Sequence, residues 1–497
     1  MEYLFLRFMM NEKHYAEHPL VKTKIIATVG PASDSREMLQ KLIIAGVDLF
    51  RLNFAHGKHE WLSEIVKNIH EISAEMEKPI GILGDLSGPK IRLGVLPGDE
   101  ITCRQDMRFR FIQGLDSDNP QELTCTYESL IGDLRVGDPV LLADGMVAMR
   151  VIEKSADDEF VECVVEREGI IRSKQGVNLP GVQLSTPCLT EKDLSDLAWA
   201  VEHGLDYIGL SFVRSADDIR QLKEEIEKLN PKDAPHVVAK IEKIEAVSDI
   251  EQILKLTDAV MVARGDLGVE VDIERVPIIQ KRIIHLCNQY RVPVITATQM
   301  LDSMQFNTFP TRAEASDVAN AVLDGSDAVM LSGETAVGVS PLAAVEMMSR
   351  IVREAARILS SNLHSEEATS NRRLYAREVT EAVTMGAGIT AEKLDADLMV
   401  TCTHEGKTAM ALSKQRRTVP TVALTDRPAT ARRMTLYWGV TSLLTDVVEK
   451  SPSKILAFIA SYGKKHGFLT TGSQIVLISG TDWTSQGHDM LLVHEVK

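Results

Sequence analysis

The sequence has no Cys-x-x-Cys pair, no long uninterrupted hydrophobic run, no excess of positive charge and no complete Walker A motif. Each absence removes a class of function. Its six cysteines, Cys103, Cys125, Cys163, Cys188, Cys287 and Cys402, are scattered and lack metal-like spacing to histidine. This excludes a disulfide framework and reads as reduced cytosolic, hence cytoplasmic, thiols. The opening MEYLFLRFMM is apolar but short, and NEKHYAEH follows it with no small-residue cleavage site, so neither a signal peptide nor a membrane span is expected. Residues 1–18 read as a loose arm, with Met9 and Met10 as alternative starts. A formal net charge of −16 argues against nucleic-acid partners. It also means that any phosphate site must be built locally from cations, metals and helix N-termini.

What is present is an ordinary globular composition, 44% hydrophobic and 25% charged over 497 residues, long enough for two or three domains. From Lys22 onward a short β-rich run, a polar cluster and an amphipathic helical segment recur. The strand candidates are KIIATV, VDLFRLNF, IGILGDL, LDYIGLSF, HVVAKIE, DAVMVARG, VPVITATQM and DAVMLSGE. Eight such units predict an α/β fold with a (β/α)8 TIM barrel, whose chemistry lies at the carboxyl ends of the strands. Those ends carry Arg51 and Asn53, Asp85, Ser211 and Phe212, Lys240 and Glu242, Arg264 to Asp266, Thr298, and Ser332 with Glu334.

The stretch from Val237 to Glu270 is the centre of this pattern. Lys240 and Glu242 are two apart and share a strand face, and Asp266 follows the next apolar run. Two carboxylates, Glu242 and Asp266, suit a hard divalent cation, with Lys240 as a second positive charge, and such a cluster fits an anionic, phosphorylated substrate. A buried ion-pair network is the competing reading. Charges concentrated at strand tips, with apolar runs beneath, weigh against it.

Two further units complete the chain. Residues 89–187 are too long for a βα loop and alternate short strands (ITCRQDMRFRF, PVLLADGMVAMRVIE, EFVECVVEREGII) with turns, predicting an inserted all-β domain placed to act as a lid. Near its return lies RSKQGVNLPG, with Lys174. The barrel is assigned 19–88 and 188–360, and 361–497 is assigned to a C-terminal open α/β domain after the polar linker SSNLHSEEATSNRR. There THEGKTA places Thr403, Lys407 and Thr408 between a strand and a helix start, suited to a phosphate or simply a capped helix. Thr401 stands where a Walker A motif requires glycine.

The stretches TVGPAS, FRLNFAHG, GDLSGPKIRLG, GVNLPG, LSFVRS, AKIE, MVARGDLGVE, TATQML, TRAEASDVANAVLDG and MLSGETA together resemble pyruvate kinase. The resemblance covers nearly the whole chain from Lys22. It implies Mg²⁺- or Mn²⁺-dependent phosphoryl transfer from phosphoenolpyruvate to ADP, the final step of glycolysis, by a homotetramer with a phosphorylated allosteric effector. By similarity, Glu242 and Asp266 are the metal ligands and Lys240 the transition-state cation. Thr298 with Gly265 and Asp266 holds substrate, Arg51 contacts phosphate, and Pro31, His56 and Lys174 fall on the nucleotide side. The chain also departs from the family pattern. Asn53 and Asp85 keep two positions of the family's monovalent-cation site, but Ala55 and Leu86 offer no hydroxyl, and Lys90 stands where K⁺-dependent members have glutamate. K⁺ is therefore not expected to be required. The closing SGTDWTSQGHDMLL lacks the basic, glycine-rich loop of members activated by fructose bisphosphate. The rival readings are a lyase or aldolase with a Schiff base at Lys240, and a non-catalytic metabolite sensor.

Overall fold

The computed structural model describes residues 22–182, 184–359, 374–480 and 488–497. The expected arm, the polar linker and most of the closing loop lie outside these. The eight apolar runs form eight parallel strands closed into a barrel, each paired with its sequence neighbours and the last with the first. They are Lys24–Thr28, Leu49–Asn53, Gly81–Asp85, Tyr207–Leu210, His236–Ile241, Ala259–Ala263, Val294–Ala297 and Ala328–Leu331. Helices between them cover the outside. Among the described residues no helix is long and apolar enough to cross a membrane.

The two-residue period of a strand decides what the barrel holds. Ile25, Phe50, Leu52, Ile82, Ile208, Val237, Ala239 and Val260 face the helices and join their core. Their alternates Ile26, Leu49, Leu83, Tyr207, Val238, Ala259, Met261 and Ile295 fill the interior. Continuing the inward parity toward the carboxyl ends reaches Thr28, Arg51, Asn53, Asp85, Gly209, Ser211, Lys240 and Glu242. The inward-facing positions thus switch from apolar to polar within one strand length, which packs the amino-terminal half and leaves the other for chemistry.

The insertion leaves the barrel after the third strand and builds its own core around Phe109, Phe111, Met149, Val161 and Val165. A six-stranded sheet carries this core, ordered Val177–Asn178, Pro139–Leu142, Val147–Lys154, Phe160–Arg167, Arg108–Ile112 and Glu122–Leu123, beside a two-stranded ribbon of Glu100–Cys103 and Gly169–Arg172. The run ITCRQDMRFRF therefore forms two strands in different sheets, not one. The break is a turn in which Asp106 takes a positive φ of 66° and Met107 N–H donates to Arg104 O.

The C-terminal unit is a five-stranded sheet, ordered Val440–Leu444, Thr421–Thr425, Leu398–Cys402, Gln474–Ser479 and Met490–Glu495, with only the last strand antiparallel. It docks on the amino-terminal end of the barrel, where Met410, Met434, Leu436, Tyr437 and Val440 continue the barrel's interior core. Polar contacts ring this plug. Lys24 Nζ donates to Val440 O (2.7 Å), Tyr207 Oη to Arg433 O (2.6 Å), and Arg432 Nε to Asp206 (2.9 Å). Asp327 is fully buried there, and its carboxylate receives Lys414 Nζ at 2.8 and 2.7 Å and Arg416 Nη2 at 3.0 Å. Burial draws the Lys414 pKa down to about 8 against the attraction of Asp327.

Removing Asp327 leaves two buried cations facing each other. Asp327→Ala is expected to cost about 3–5 kcal/mol of unfolding free energy, the range for breaking a buried pair. Lys414→Met should cost clearly less, because Arg416 still neutralises the carboxylate. Urea unfolding of the two variants, followed for both domains, checks the order.

Candidate active site

Three barrel strands bring opposite charges together at their carboxyl ends. Arg51 reaches Asp85 through Nε and Nη2 (2.7 and 2.6 Å) and donates from Nη1 to Thr28 Oγ1 (3.2 Å). Asp85 lies 3.2 Å from Lys240 Nζ, which is 2.9 Å from Glu242 Oε1 and donates to Ser211 Oγ at 2.6 Å. The far oxygen of Glu242 accepts from Phe212 N–H at 2.6 Å. The result is a row of alternating sign, Arg51, Asp85, Lys240 and Glu242, in which the last three are buried and Arg51 is partly exposed.

The electrostatics follow from the row. Burial pulls the Lys240 pKa down, but Asp85 and Glu242 together carry it above the ordinary lysine value. Burial pushes Asp85 up, and Lys240 and Arg51 overcome it, leaving the group below the usual carboxylate range. Glu242 goes the other way: burial, reinforced by Asp266, outweighs Lys240 and raises it. Lys240 is thus held as an ammonium, the wrong state for an imine-forming nucleophile.

Asp266 sits in the short helix Arg264–Glu270 after the sixth strand. Arg264 fixes its start, donating to Thr298 O (2.7 Å) and pairing with Asp317 (2.6 Å). Gly265 N–H donates to Thr298 Oγ1 (2.9 Å). Thr298 and Gln299 both take positive φ, 65° and 53°, strain that non-glycine residues hold only where the surroundings demand it.

The remaining expected residues stand apart from this row. Pro31 and His56 are exposed on the loops after the first and second strands, and Lys174 is exposed on the inserted domain at φ 64°. Asn53 Oδ1 accepts from Ala55 N–H (3.1 Å). Lys90 is exposed in the cleft between insertion and barrel, on a wall shared with Phe212, Arg214 and Lys243. In the C-terminal unit, Thr403 and Thr408 are buried. Thr403 Oγ1 accepts from Gly406 N–H (2.9 Å), Thr408 Oγ1 meets His488 Nδ1 (3.1 Å), and exposed Lys407 pairs with Glu405.

Several contributors escape a reading of motifs. Gly209 gives Asp85 and Lys240 room to meet, since a Cβ there would lie 3.0 Å from Asp85 Oδ1 and 3.6 Å from Lys240 Cδ. A glycine inside an apolar strand was the available signal. Lys243 binds Glu270 (2.6 Å), tying the strand tip that carries Glu242 to the end of the helix that carries Asp266. Their charges were visible in KIEK and LGVE, but not their pairing.

Glu242 and Asp266 also fit a divalent metal. Both offer hard oxygen donors, and the push of Asp266 on buried Glu242 is the repulsion that a cation between them relieves.

Comparison with known proteins agrees with this geometry. Residues 20–345 match the family model "Pyruvate kinase, barrel domain", and 381–494 match "Pyruvate kinase, alpha/beta domain". The pyruvate kinase of Bacillus licheniformis is 40% identical over 466 residues, covering 92% of this chain and 78% of that protein. That of Geobacillus stearothermophilus is 39% identical over 487 residues, covering 96% and 80%. A crystal structure of a pyruvate kinase from Cryptosporidium parvum superposes with a TM-score of 0.87 at 33% identity, covering 96% of each chain. With both of its family domains matched and relatives of about 40% identity covering most of its length, the chain belongs to the pyruvate kinase family.

Proposed function

We propose that the barrel mouth moves the phosphoryl group of phosphoenolpyruvate to the terminal phosphate of ADP, giving pyruvate and ATP. The observation that carries this reading is the row Arg51–Asp85–Lys240–Glu242, assembled from separate strands with Asp266 beside it. Lys240 and Arg51 hold positive charge where negative charge spreads over the transferring oxygens. Asp85 positions both cations. Thr298 and the backbone of Gly265 and Asp266 orient the substrate carboxylate. The enol oxygen keeps the bonding electrons as phosphorus leaves, and the resulting enolate takes a proton at carbon, from a water that Thr298 orients. Glu242 and Asp266 would hold Mg²⁺ or Mn²⁺, which when bound would neutralise phosphate charge. Pro31 and His56 on the barrel and Lys174 on the insertion flank the nucleotide, so the insertion acts as a lid.

The wider assignment is a cytoplasmic enzyme, in keeping with six buried, unpaired thiols, that works as a homotetramer. Phe306 and Phe309, 78% and 69% exposed, supply apolar surface for assembly. Thr403, Lys407 and Thr408 take a phosphorylated effector. Independence from K⁺ is supported by Leu86, which is buried and without a hydroxyl, and by Asn53, whose oxygen is bonded within its own loop. Lys90 supplies the substitute charge from the cleft wall.

Pyruvate formation that requires ADP, phosphoenolpyruvate and Mg²⁺ tests the main reading. In that assay Lys240→Ala is expected to lower kcat by at least about a hundredfold, and turnover near that of the parent enzyme overturns the role. In potassium-free and sodium-free buffer at fixed ionic strength, added K⁺ is expected to raise the rate by less than about tenfold. Lys90→Glu should create a K⁺ requirement. Lys407→Glu should abolish activation by sugar phosphates or AMP while leaving saturated turnover intact, and activation that survives places the effector elsewhere.

A further inference from the structure

The fourth barrel strand ends in Ser211, Phe212, Val213 and Arg214, a loop with two jobs. Ser211 and Phe212 face the site: Ser211 Oγ accepts from Lys240 and donates to Leu86 O (2.7 Å), and Phe212 N–H donates to Glu242. Phe212 holds a positive φ of 54°, and Val213 is fully buried, so the loop has little freedom. Two residues beyond Phe212, Arg214 turns to the inserted domain. Its Nη1 donates to Leu184 O (2.9 Å) and its Nη2 to Thr186 O (3.0 Å). Asp218 anchors its backbone N–H (2.8 Å).

Residues 184–186 are the chain's return from the insertion to the barrel, and they are gripped alternately from both sides. The carbonyls of Leu184 and Thr186 go to the barrel's Arg214. Ser185 between them goes to the insertion, through N–H to Asp133 Oδ2 (2.8 Å) and Tyr127 Oη (2.9 Å), and through Oγ to Asp133 Oδ1 (2.5 Å). The outgoing connection meets the same loop: Gly88 N–H is held by Asp193 (3.1 Å), and a Cβ on Gly88 would lie 2.8 Å from the Phe212 ring.

We propose that Arg214 is the clamp that positions the lid, and that its bidentate grip on Leu184 and Thr186 sets how Lys174 on the lid is presented against Pro31 and His56 on the barrel. It is a positioning residue for the phosphoryl acceptor. The functional part rests on the phosphotransfer reading above, whereas the clamp itself rests on the hydrogen bonds alone. A guanidinium spans two carbonyls in a fixed fork that an ammonium cannot reproduce.

The test uses the full-length enzyme with Arg214→Met and Arg214→Lys. Hydrogen exchange at residues 184–186 reads the clamp without reference to turnover: faster exchange in Arg214→Met supports it, and unchanged exchange overturns it. For the functional part, KM for ADP is expected to rise about tenfold in Arg214→Met with kcat changed by less than about threefold, and Arg214→Lys to recover only part of the loss. Exchange of the pyruvate methyl protons with solvent reports the barrel half of the site and is expected to stay at the parent level. An unchanged KM for ADP, or methyl exchange falling in parallel with turnover, overturns the positioning role. A parent enzyme without ADP-dependent turnover defeats the phosphotransfer reading instead, and hydrogen exchange still decides the clamp.

Discussion

Asp85 is the member of the site on which the others depend. It is a buried carboxylate shared by two cations that would otherwise repel each other, Arg51 from the second strand and Lys240 from the fifth. Taking such charges out of water costs several kcal/mol apiece unless each has a well-placed partner, so the row survives only because its signs alternate. Strand parity supplies the placement. One-residue slips in pairing would turn Arg51, Asp85 and Lys240 toward the helices and leave them unpaired in an apolar layer. The closed barrel, with its single register, is therefore a condition for the charges as much as a scaffold for them.

The two ends of the barrel divide the work. At the amino-terminal end, apolar side chains of the C-terminal unit complete the interior core and Asp327 gathers Lys414 and Arg416. At the carboxyl end, positive φ angles at Phe212 and Thr298 and a row of desolvated charges are tolerated because the packing beneath them is secure. Strain and charge at one end are offset by hydrophobic burial at the other.

Much of this was legible in the sequence, for identifiable reasons. Apolar runs that end abruptly in charge mark buried parallel strands, and the spacing of Lys240 and Glu242 alone puts them on one face. What stayed hidden involved partners far apart in the chain or local breaks without a strong signal. Arg214 and Leu184 are 30 residues apart, and Lys414 and Asp327 are 87 apart. No periodicity announces such pairs. The run ITCRQDMRFRF alternates well enough to read as one strand, because a turn at Asp106 needs neither glycine nor proline. In THEGKTA, the residue types suited a phosphate, but composition could not tell that the hydroxyl of Thr403 meets its own loop.

The six cysteines carry a practical consequence. All are buried, and burial raises their thiols, to about 11 at Cys103 and Cys125 and to about 12 at Cys163, Cys188 and Cys402. At neutral pH such groups are almost wholly protonated and shielded from reagents. A pair of cysteines introduced on the surface, one on the insertion and one on the barrel, would then be the only fast-reacting thiols in the folded chain. Fluorophores or spin labels could be attached there without first stripping the native sulfur from the folded interior.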